Sequence, residues 1–475
     1  MFRVWSVKID LNFHCVYYLI PNSHGFLHPT TTFSNFFLLL NRMRLRSTFP
    51  LPDYFSIDQF VQWAEKYSPV VVLNSNKKSQ NFIDPYSKFE ILAAIGSLGQ
   101  LTEASDFFTQ ADSHLKVKDW HFGHLSYDLK NELEDLQSRH ADYIQFPEAH
   151  FFRPRWVLYT ESSELNIEYD PQFDSGEQIQ QLVQELFNTK LGEKLNPVHD
   201  IQTRVTEKEY ISNVFKIQEH IQRGDIYEMN YCIEFFAENA HLRPALSYSR
   251  LNTISPMPFS GFYKMNDHYL LCASPERFMA KRGNKLISQP IKGTAKRGKT
   301  SSEDEKIRQD LYGNEKERSE NVMIVDLVRN DLSRTAARGT VNVEELFGIY
   351  SFQSLHQMIS TVVSELNPEY SGLDAIRFAF PMGSMTGAPK VRAMQLIEEF
   401  ESTKRGLYSG AVGYIDPNGD FDFNVVIRSI QHNAITKYLS FMVGSAITIG
   451  SDAEKEYREC LLKAESMMRA LNPDH

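Results

Sequence analysis

Glu317-Arg-Ser-Glu-Asn-Val-Met-Ile-Val-Asp-Leu-Val-Arg-Asn-Asp331 reads as an amphipathic helix that opens on a pair of glutamates. Glu317 and Glu320 are spaced i, i+3, so both carboxylates lie on one helix face. The arrangement recurs near the C-terminus, where Glu456 and Glu459 have the same spacing and Lys463 follows one turn later. Two acidic pairs on two helices can hold a hard cation such as Mg²⁺, which takes oxygen ligands. They can equally be solvated helix faces. Further helical patterns cover 207–222, 303–330, 371–379, 388–401 and 452–470. Short strands interleave with them, including a hairpin, Tyr414-Ile-Asp-Pro-Asn-Gly-Asp-Phe421, with Asn-Gly at its tip. Upstream, strands at 70–73, 156–159 and 165–169 alternate with helices such as 176–191. The pattern predicts an α+β fold.

Residues 1–42 differ from the rest, with four charged residues and no clean hydrophobic period. They read as an N-terminal extension outside the fold, with Met43 as the true start. A polar connector near Pro197 divides the remainder into an N-terminal region, 43–200, and a motif-dense region, 201–475, which is expected to carry the chemistry. No internal repeat interrupts either region.

Composition narrows the function. The 475 residues carry 50 Lys+Arg against 60 Asp+Glu, a formal net charge of −10. That balance argues against a general nucleic-acid binder, which needs a basic footprint. Cys15, Cys232, Cys272 and Cys460 lie far apart with no C-x-x-C pair, which excludes a zinc ribbon or disulfide scaffold and fits a reducing cytoplasm. No apolar run approaches the ~20 residues of a membrane span.

Several segments carry candidate chemistry. In Gln289-Pro-Ile-Lys-Gly-Thr-Ala-Lys-Arg-Gly298, Lys292 sits between Ile291 and Gly293 in what reads as a stiff turn. A lysine held in apolar surroundings has its pKa lowered and becomes a nucleophile; a surface loop lysine is the alternative. Gly383-Ser-Met-Thr-Gly-Ala-Pro-Lys390 is a glycine loop entering a helix, either an anion site at the helix start or a structural turn. Arg428 lies in an apolar stretch, Phe423-Asn-Val-Val-Ile-Arg-Ser-Ile430, read as a buried strand. It either forks onto a carboxylate ligand or forms a structural ion pair. His356 reads as a pocket residue or a satisfied core histidine. Val443-Gly-Ser-Ala-Ile447 can bring backbone close to a ligand or mark a tight strand crossing.

Taken together, these words resemble the chorismate-utilising enzymes: anthranilate synthase component I, aminodeoxychorismate synthase component I, and the isochorismate and salicylate synthases. The carriers are Ser274-Pro-Glu-Arg-Phe278, Val325-Asp-Leu-Val-Arg-Asn-Asp-Leu332, the 383–390 loop with Val391-Arg-Ala-Met394, Gly410-Ala-Val-Gly-Tyr414 and, more faintly, Phe122-Gly-His-Leu-Ser-Tyr-Asp-Leu129. The resemblance implies an anthranilate synthase component I-like fold, two packed antiparallel-rich sheets flanked by helices, in which the two regions interlock. Lys292 selects the branch, since anthranilate synthases carry Ala there and aminodeoxychorismate synthases carry Lys. Isochorismate synthases place a general-base lysine where this chain has Glu228, which argues against activating water.

By resemblance, Lys292 attacks C2 of chorismate, Glu276 protonates the departing C4 hydroxyl, and ammonia then displaces the lysine at C4, for 4-aminobenzoate and folate synthesis. The resemblance assigns Mg²⁺ to Glu317, Glu320, Glu456 and Glu459. It assigns the ring carboxylate to Lys463 and the backbone of Gly444 and Ala446, and the enolpyruvyl carboxylate to Tyr408 and Arg428. It also implies a catalytic place beside the ring for His356, and substrate-binding pocket positions for Ser384 and Thr294. None of the four cysteines sits in a Gly-x-Cys-x-Gly elbow, so ammonia is expected from a separate glutamine amidotransferase subunit.

Departures bear on specificity. Val443-Gly-Ser-Ala446 replaces a more glycine-rich word, and Asn321 stands where anthranilate synthases usually carry His. Leu73-Asn-Ser75 replaces their Leu-Glu-Ser tryptophan word, which speaks against tryptophan feedback. The competing readings are anthranilate synthesis and a non-catalytic chorismate-binding subunit.

Overall fold

The computed structural model describes residues 44–77, 84–102, 106–192, 195–353 and 355–472; the expectations for residues 1–42 fall outside them. Strand pairing is antiparallel throughout, and the long strand Ala149–Glu161 is its joint. One edge of that strand takes Ile91–Thr102, and the other is shared by Glu164–Tyr169 and His121–Leu125. From the first edge an arm continues through Val70–Asn74, Phe259–Met265, His268–Ser274, Ser429–Asn433 and Tyr438–Ile447 to Glu228–Ala237. From the second, an arm runs through Ala411–Ile415, Phe421–Asn424, Arg277–Arg282 and Lys285–Gln289 to Leu355–Glu365, flanked by Ile291–Lys296 and Asn342–Ser351. The two expected sheets are thus two arms of one hydrogen-bonded network, and each arm begins on strands of the N-terminal region and continues through strands of the C-terminal region.

Each face is covered for a sequence reason. Helices Ile57–Ala64, Gly176–Phe187, Glu207–Arg223, Pro244–Ile254, Lys390–Phe400 and Ala453–Leu471 turn their apolar stripes onto the first arm. Glu315–Ser333 and Gly372–Ala379 cover the second, burying Ile324, Val325, Val328 and Ile376. A third core draws Tyr263 from the first arm and Phe122 and Tyr414 from the second.

Two sequence expectations change here. The pattern over 303–330 is two helices, Ser301–Gly313 and Glu315–Ser333. The break falls at Asn314, whose side chain accepts from the Glu317 N–H at 3.2 Å as an N-cap. The stretch Phe423–Ile430 is two strands, Phe421–Asn424 on one arm and Ser429–Asn433 on the other, so Arg428 lies in the crossover rather than in a strand. The crossover at 425–428 has a counterpart at Pro275-Glu276, between His268–Ser274 and Arg277–Arg282. Pro275 has no N–H to continue a ladder. The two crossovers bond to each other, Val425 N to Glu276 O at 3.0 Å, and Ala273 N on the adjoining strand donates to Arg428 O at 3.1 Å.

A buried guanidinium fixes the region beside these crossovers. Arg405 forks onto Glu401 at 2.9 and 2.6 Å and donates to the carbonyls of Asn230 (2.9 Å) and Met385 (2.6 Å). Glu401 also accepts from Cys232 N at 2.9 Å. Removing one partner of such a pair leaves a buried charge uncompensated. Arg405→Ala is expected to lower the unfolding free energy by roughly 3–5 kcal/mol in urea titrations. A loss below about 1 kcal/mol, the level of an exposed pair, would contradict this.

Candidate active site

The crossovers, the end strands of both arms and two helices enclose a cavity of about 650 Å³. Thirteen of the fourteen predicted residues line it: Glu276, Lys292, Thr294, Glu317, Glu320, Ser384, Tyr408, Arg428, Gly444, Ala446, Glu456, Glu459 and Lys463. That volume lies within the range of small-molecule sites.

Lys292 reaches the cavity through a β-bulge rather than a turn. Ile291 pairs with Ile359 and Thr294 with Gln357, so Lys292 and Gly293 together oppose Met358. The extra residue re-aims the side chain. Gly293 has φ +90°, and a Cβ there would meet Glu317 Oε2 at 3.2 Å, so the bulge needs glycine. Lys292 Nζ donates to Glu228 Oε1 at 2.9 Å. Burial pulls the lysine pKa down, but Glu228, Glu320 and Glu276 outweigh it and hold the pKa above the usual value. This corrects the sequence expectation of a lowered pKa. Ile291 and Gly293 are apolar, yet the groups that face the amine are carboxylates from distant segments.

Glu276 shows the opposite balance. It is buried at the first crossover and accepts from Ser384 Oγ at 2.7 Å. Burial pushes its carboxyl up to about 7, against the opposing influence of Ser384, Lys292 and Lys463. At neutral pH a substantial fraction is therefore a proton donor. Within the 383–390 loop, Ser384 and Met385 face the cavity. The helix start does not, because Lys390 turns onto Asp331 at 2.7 and 2.8 Å.

The remaining cations suit anionic groups. Arg428 has φ +51° and makes no ion pair among the described residues; its guanidinium donates to the Lys463 carbonyl at 3.5 Å. Burial lowers its pKa. Tyr408 lies beside it on the cavity wall, its hydroxyl pKa raised by burial. Lys463 bridges Gly444 O (2.8 Å) and Glu459 (2.7 Å). Strand Tyr438–Ile447 pairs with Ser429–Asn433 only as far as Phe441 and with Glu228–Ala237 along its whole length. Beyond Phe441 one edge has no strand partner among the described residues, so it can offer backbone donors to a ligand. A Cβ at Gly444 would meet Cys232 Sγ at 2.4 Å, so glycine is required there.

The four glutamates form an oxygen-only donor set on the cavity wall. Burial pushes Glu320 up to about 7 and raises Glu317, and Glu320 Oε1 has no hydrogen-bond partner among the described residues. Glu456 accepts from Ser445, and Lys316 Nζ reaches Glu456 at 3.4 Å and Glu320 at 3.6 Å. Among the described residues no three such groups already stand in metal-enclosing geometry. The donor chemistry and the unsatisfied, destabilised carboxylate fit a hard dication.

His356 is the exception. Its ring bonds Asp304 (2.9 Å) and Ser351 (2.8 Å), away from the cavity. The strand period of two turns Gln357 inward instead. The structure therefore corrects its placement beside the ring. Sequence reasoning also passed over Glu228 as a partner. The signal was available, because an acidic residue within the buried run Glu228–Ala237 needs a partner as much as Arg428 does.

The sequence profile of the chorismate binding enzymes matches residues 68–469. Aminodeoxychorismate synthase component 1 of Bacillus subtilis is 34% identical over 361 residues, covering 74% of this chain and 76% of that protein. Its counterpart from Escherichia coli is 30% identical over 401 residues, covering 84% and 85%. Anthranilate synthase component I of Streptococcus pneumoniae shares the fold at a TM-score of 0.68 and 24% identity, over 95% of each chain. By this match and by its fold, the chain belongs to the family of chorismate binding enzymes.

Proposed function

We propose that the chain aminates chorismate at C4, giving 4-amino-4-deoxychorismate for 4-aminobenzoate synthesis, through a transient bond to Lys292. The observation that carries this reading is the lysine delivered into the cavity on a bulge, in the same cavity as a buried carboxyl whose pKa burial raises toward neutrality. The relatives named above support the substrate class. A lysine rather than a small residue at 292 favours this product over anthranilate.

The ring carboxylate would meet Lys463 and the open edge at Gly444 and Ala446. The enolpyruvyl carboxylate would meet Arg428 and Tyr408, and Thr294 and Ser384 line the wall beside the ring. The Lys292 amine adds to C2, the ring double bonds shift, and the C4 hydroxyl leaves as water with the proton of Glu276. Hydroxide alone is a poor leaving group, and a positioned acid contributes about 10²–10⁴-fold. The lysine is then held as a secondary ammonium. Ammonia adds to C4, the C2–Nζ bond breaks, and the proton shed by the new C4 ammonium returns to Glu276.

Glu317, Glu320, Glu456 and Glu459 would hold Mg²⁺, which when bound neutralises and polarises the ring carboxylate. Ammonia is assigned to a glutamine amidotransferase partner. Cys232, Cys272 and Cys460 are buried free thiols whose pKa values burial pushes up to about 12, 11 and 11, unlike nucleophilic thiols. Reduced thiols accord with a cytoplasmic location. Among the described residues no helix is long and apolar enough to cross a membrane.

Lys292→Ala is expected to lose the 4-amino product by at least about 100-fold in an ammonium-driven assay read by chromatography. Parental turnover by that variant would sink the reading. Glu276 must be protonated to act, so kcat/KM should fall as pH rises through about 7. Glu276→Gln should lose activity on both sides of that limb; a wild-type profile in this variant would remove Glu276 as the acid. Glu320→Gln should weaken Mg²⁺ binding by at least about tenfold in calorimetric titration, roughly 1.4 kcal/mol. Unchanged affinity would take Glu320 out of the ligand set.

A further inference from the structure

We infer that Glu228 is a catalytic base: it takes the proton from the Lys292 ammonium at the start of the cycle and returns it at the end. The inference rests on the reading of Lys292 as the nucleophile.

A protonated amine has no lone pair to attack carbon, so its proton must go to a neighbour. Among the described residues, Glu228 is the carboxylate in hydrogen-bond contact with Lys292 Nζ, at 2.9 Å. Glu276 is engaged by Ser384 and supplies the proton for the departing hydroxyl. The Glu228 side chain is 2% exposed and Glu228 is not among the residues that line the cavity. Its route to the reaction is therefore through the lysine.

The rest of its environment separates Glu228 from a structural ion-pair partner. Its Oε2 is buried and has no hydrogen-bond partner among the described residues. On the same strand, Glu234 has both oxygens satisfied, by Arg204, Tyr438 and Ser440. The nearby Glu401 has both satisfied by Arg405 and the Cys232 N–H. Burying a carboxylate with one oxygen unsatisfied costs stability, and a purely architectural carboxylate would be bonded as those two are. The backbone holds Glu228 closely. Ala388 pairs with it, Tyr227 N donates to Ala388 O at 2.7 Å, and a Cβ at Gly387 would meet Glu228 O at 2.2 Å.

The proton balance closes. Lys292 ammonium and Glu228 carboxylate become amine and carboxylic acid. The amine forms the bond to C2 while Glu276 protonates the leaving hydroxyl. When ammonia displaces the lysine as a neutral amine, Glu228 returns its proton to Nζ, and Glu276 recovers its own from the C4 ammonium. The sum is chorismate plus ammonia giving the 4-amino product plus water.

Glu228→Gln tests this, because the amide oxygen can still accept from Lys292 and so preserves placement. Enzyme in excess over chorismate, with Mg²⁺ and no ammonia, is quenched at intervals and weighed intact. Wild type should gain chorismate less one water. Glu228→Gln should gain it at least about 100-fold more slowly, while binding chorismate within about threefold of wild type by calorimetry. Equal adduct rates in both proteins would overturn the role of Glu228 and leave Lys292 as nucleophile. Loss of chorismate binding together with adduct formation would also overturn it, making Glu228 structural. No adduct on wild type would overturn the covalent reading itself.

Discussion

One buried ion pair joins the two arms of the sheet across the cavity. Glu228 belongs to the strand on which the first arm ends, and Lys292 to a strand flanking the end of the second. The 2.9 Å contact between them requires the joint at Ala149–Glu161, the two crossovers and the bulge at Gly293 to be in register. A slip of one residue in either end strand would send one partner to the opposite face. The active site is thus a closure condition on the whole network, met by residues 64 positions apart in sequence.

That closure also addresses an electrostatic problem. An acidic protein that takes a dianion must concentrate positive charge locally. Lys292, Arg428, Lys463 and Lys316 all line the cavity, interleaved with glutamates from two helices. Burial works against the charged lysine, but Glu228, Glu320 and Glu276 outweigh it and favour the ammonium, while burial raises the Glu276 carboxyl to about 7. Both groups are thereby held toward their protonated forms, so Glu276 can donate while the lysine must give up a proton before it can attack.

Much of this was legible in the sequence. Glutamates three apart on two helices give a shared face from spacing alone, and the Pro-Ile-Lys-Gly-Thr and Ser-Pro-Glu words singled out Lys292 and Glu276, which the fold brings into one cavity. What stayed hidden is what depends on distant neighbours or on strand parity. Local sequence around Lys292 is apolar, so its raised pKa becomes visible only when Glu228, Glu276 and Glu320 are brought to it by the fold. The parity of the Leu355–Glu365 strand decides that Gln357 rather than His356 faces the cavity. A continuous apolar run concealed the crossover at 425–428, because hydrophobic pattern does not register a change of arm. The helix break at Asn314 was readable in principle, since Gly313-Asn314 pairs a C-terminal glycine with an N-cap residue.

The central claim is that a nitrogen–carbon bond forms between the side chain at 292 and the substrate ring. A crystal structure of the enzyme with Mg²⁺, soaked with chorismate in ammonia-free buffer and frozen, tests it directly. The account predicts continuous density from Lys292 Nζ to C2 and no oxygen on C4. An intact chorismate with its C4 hydroxyl in place and C2 beyond bonding distance of Nζ, in crystals that turn over once ammonium is added, would contradict it.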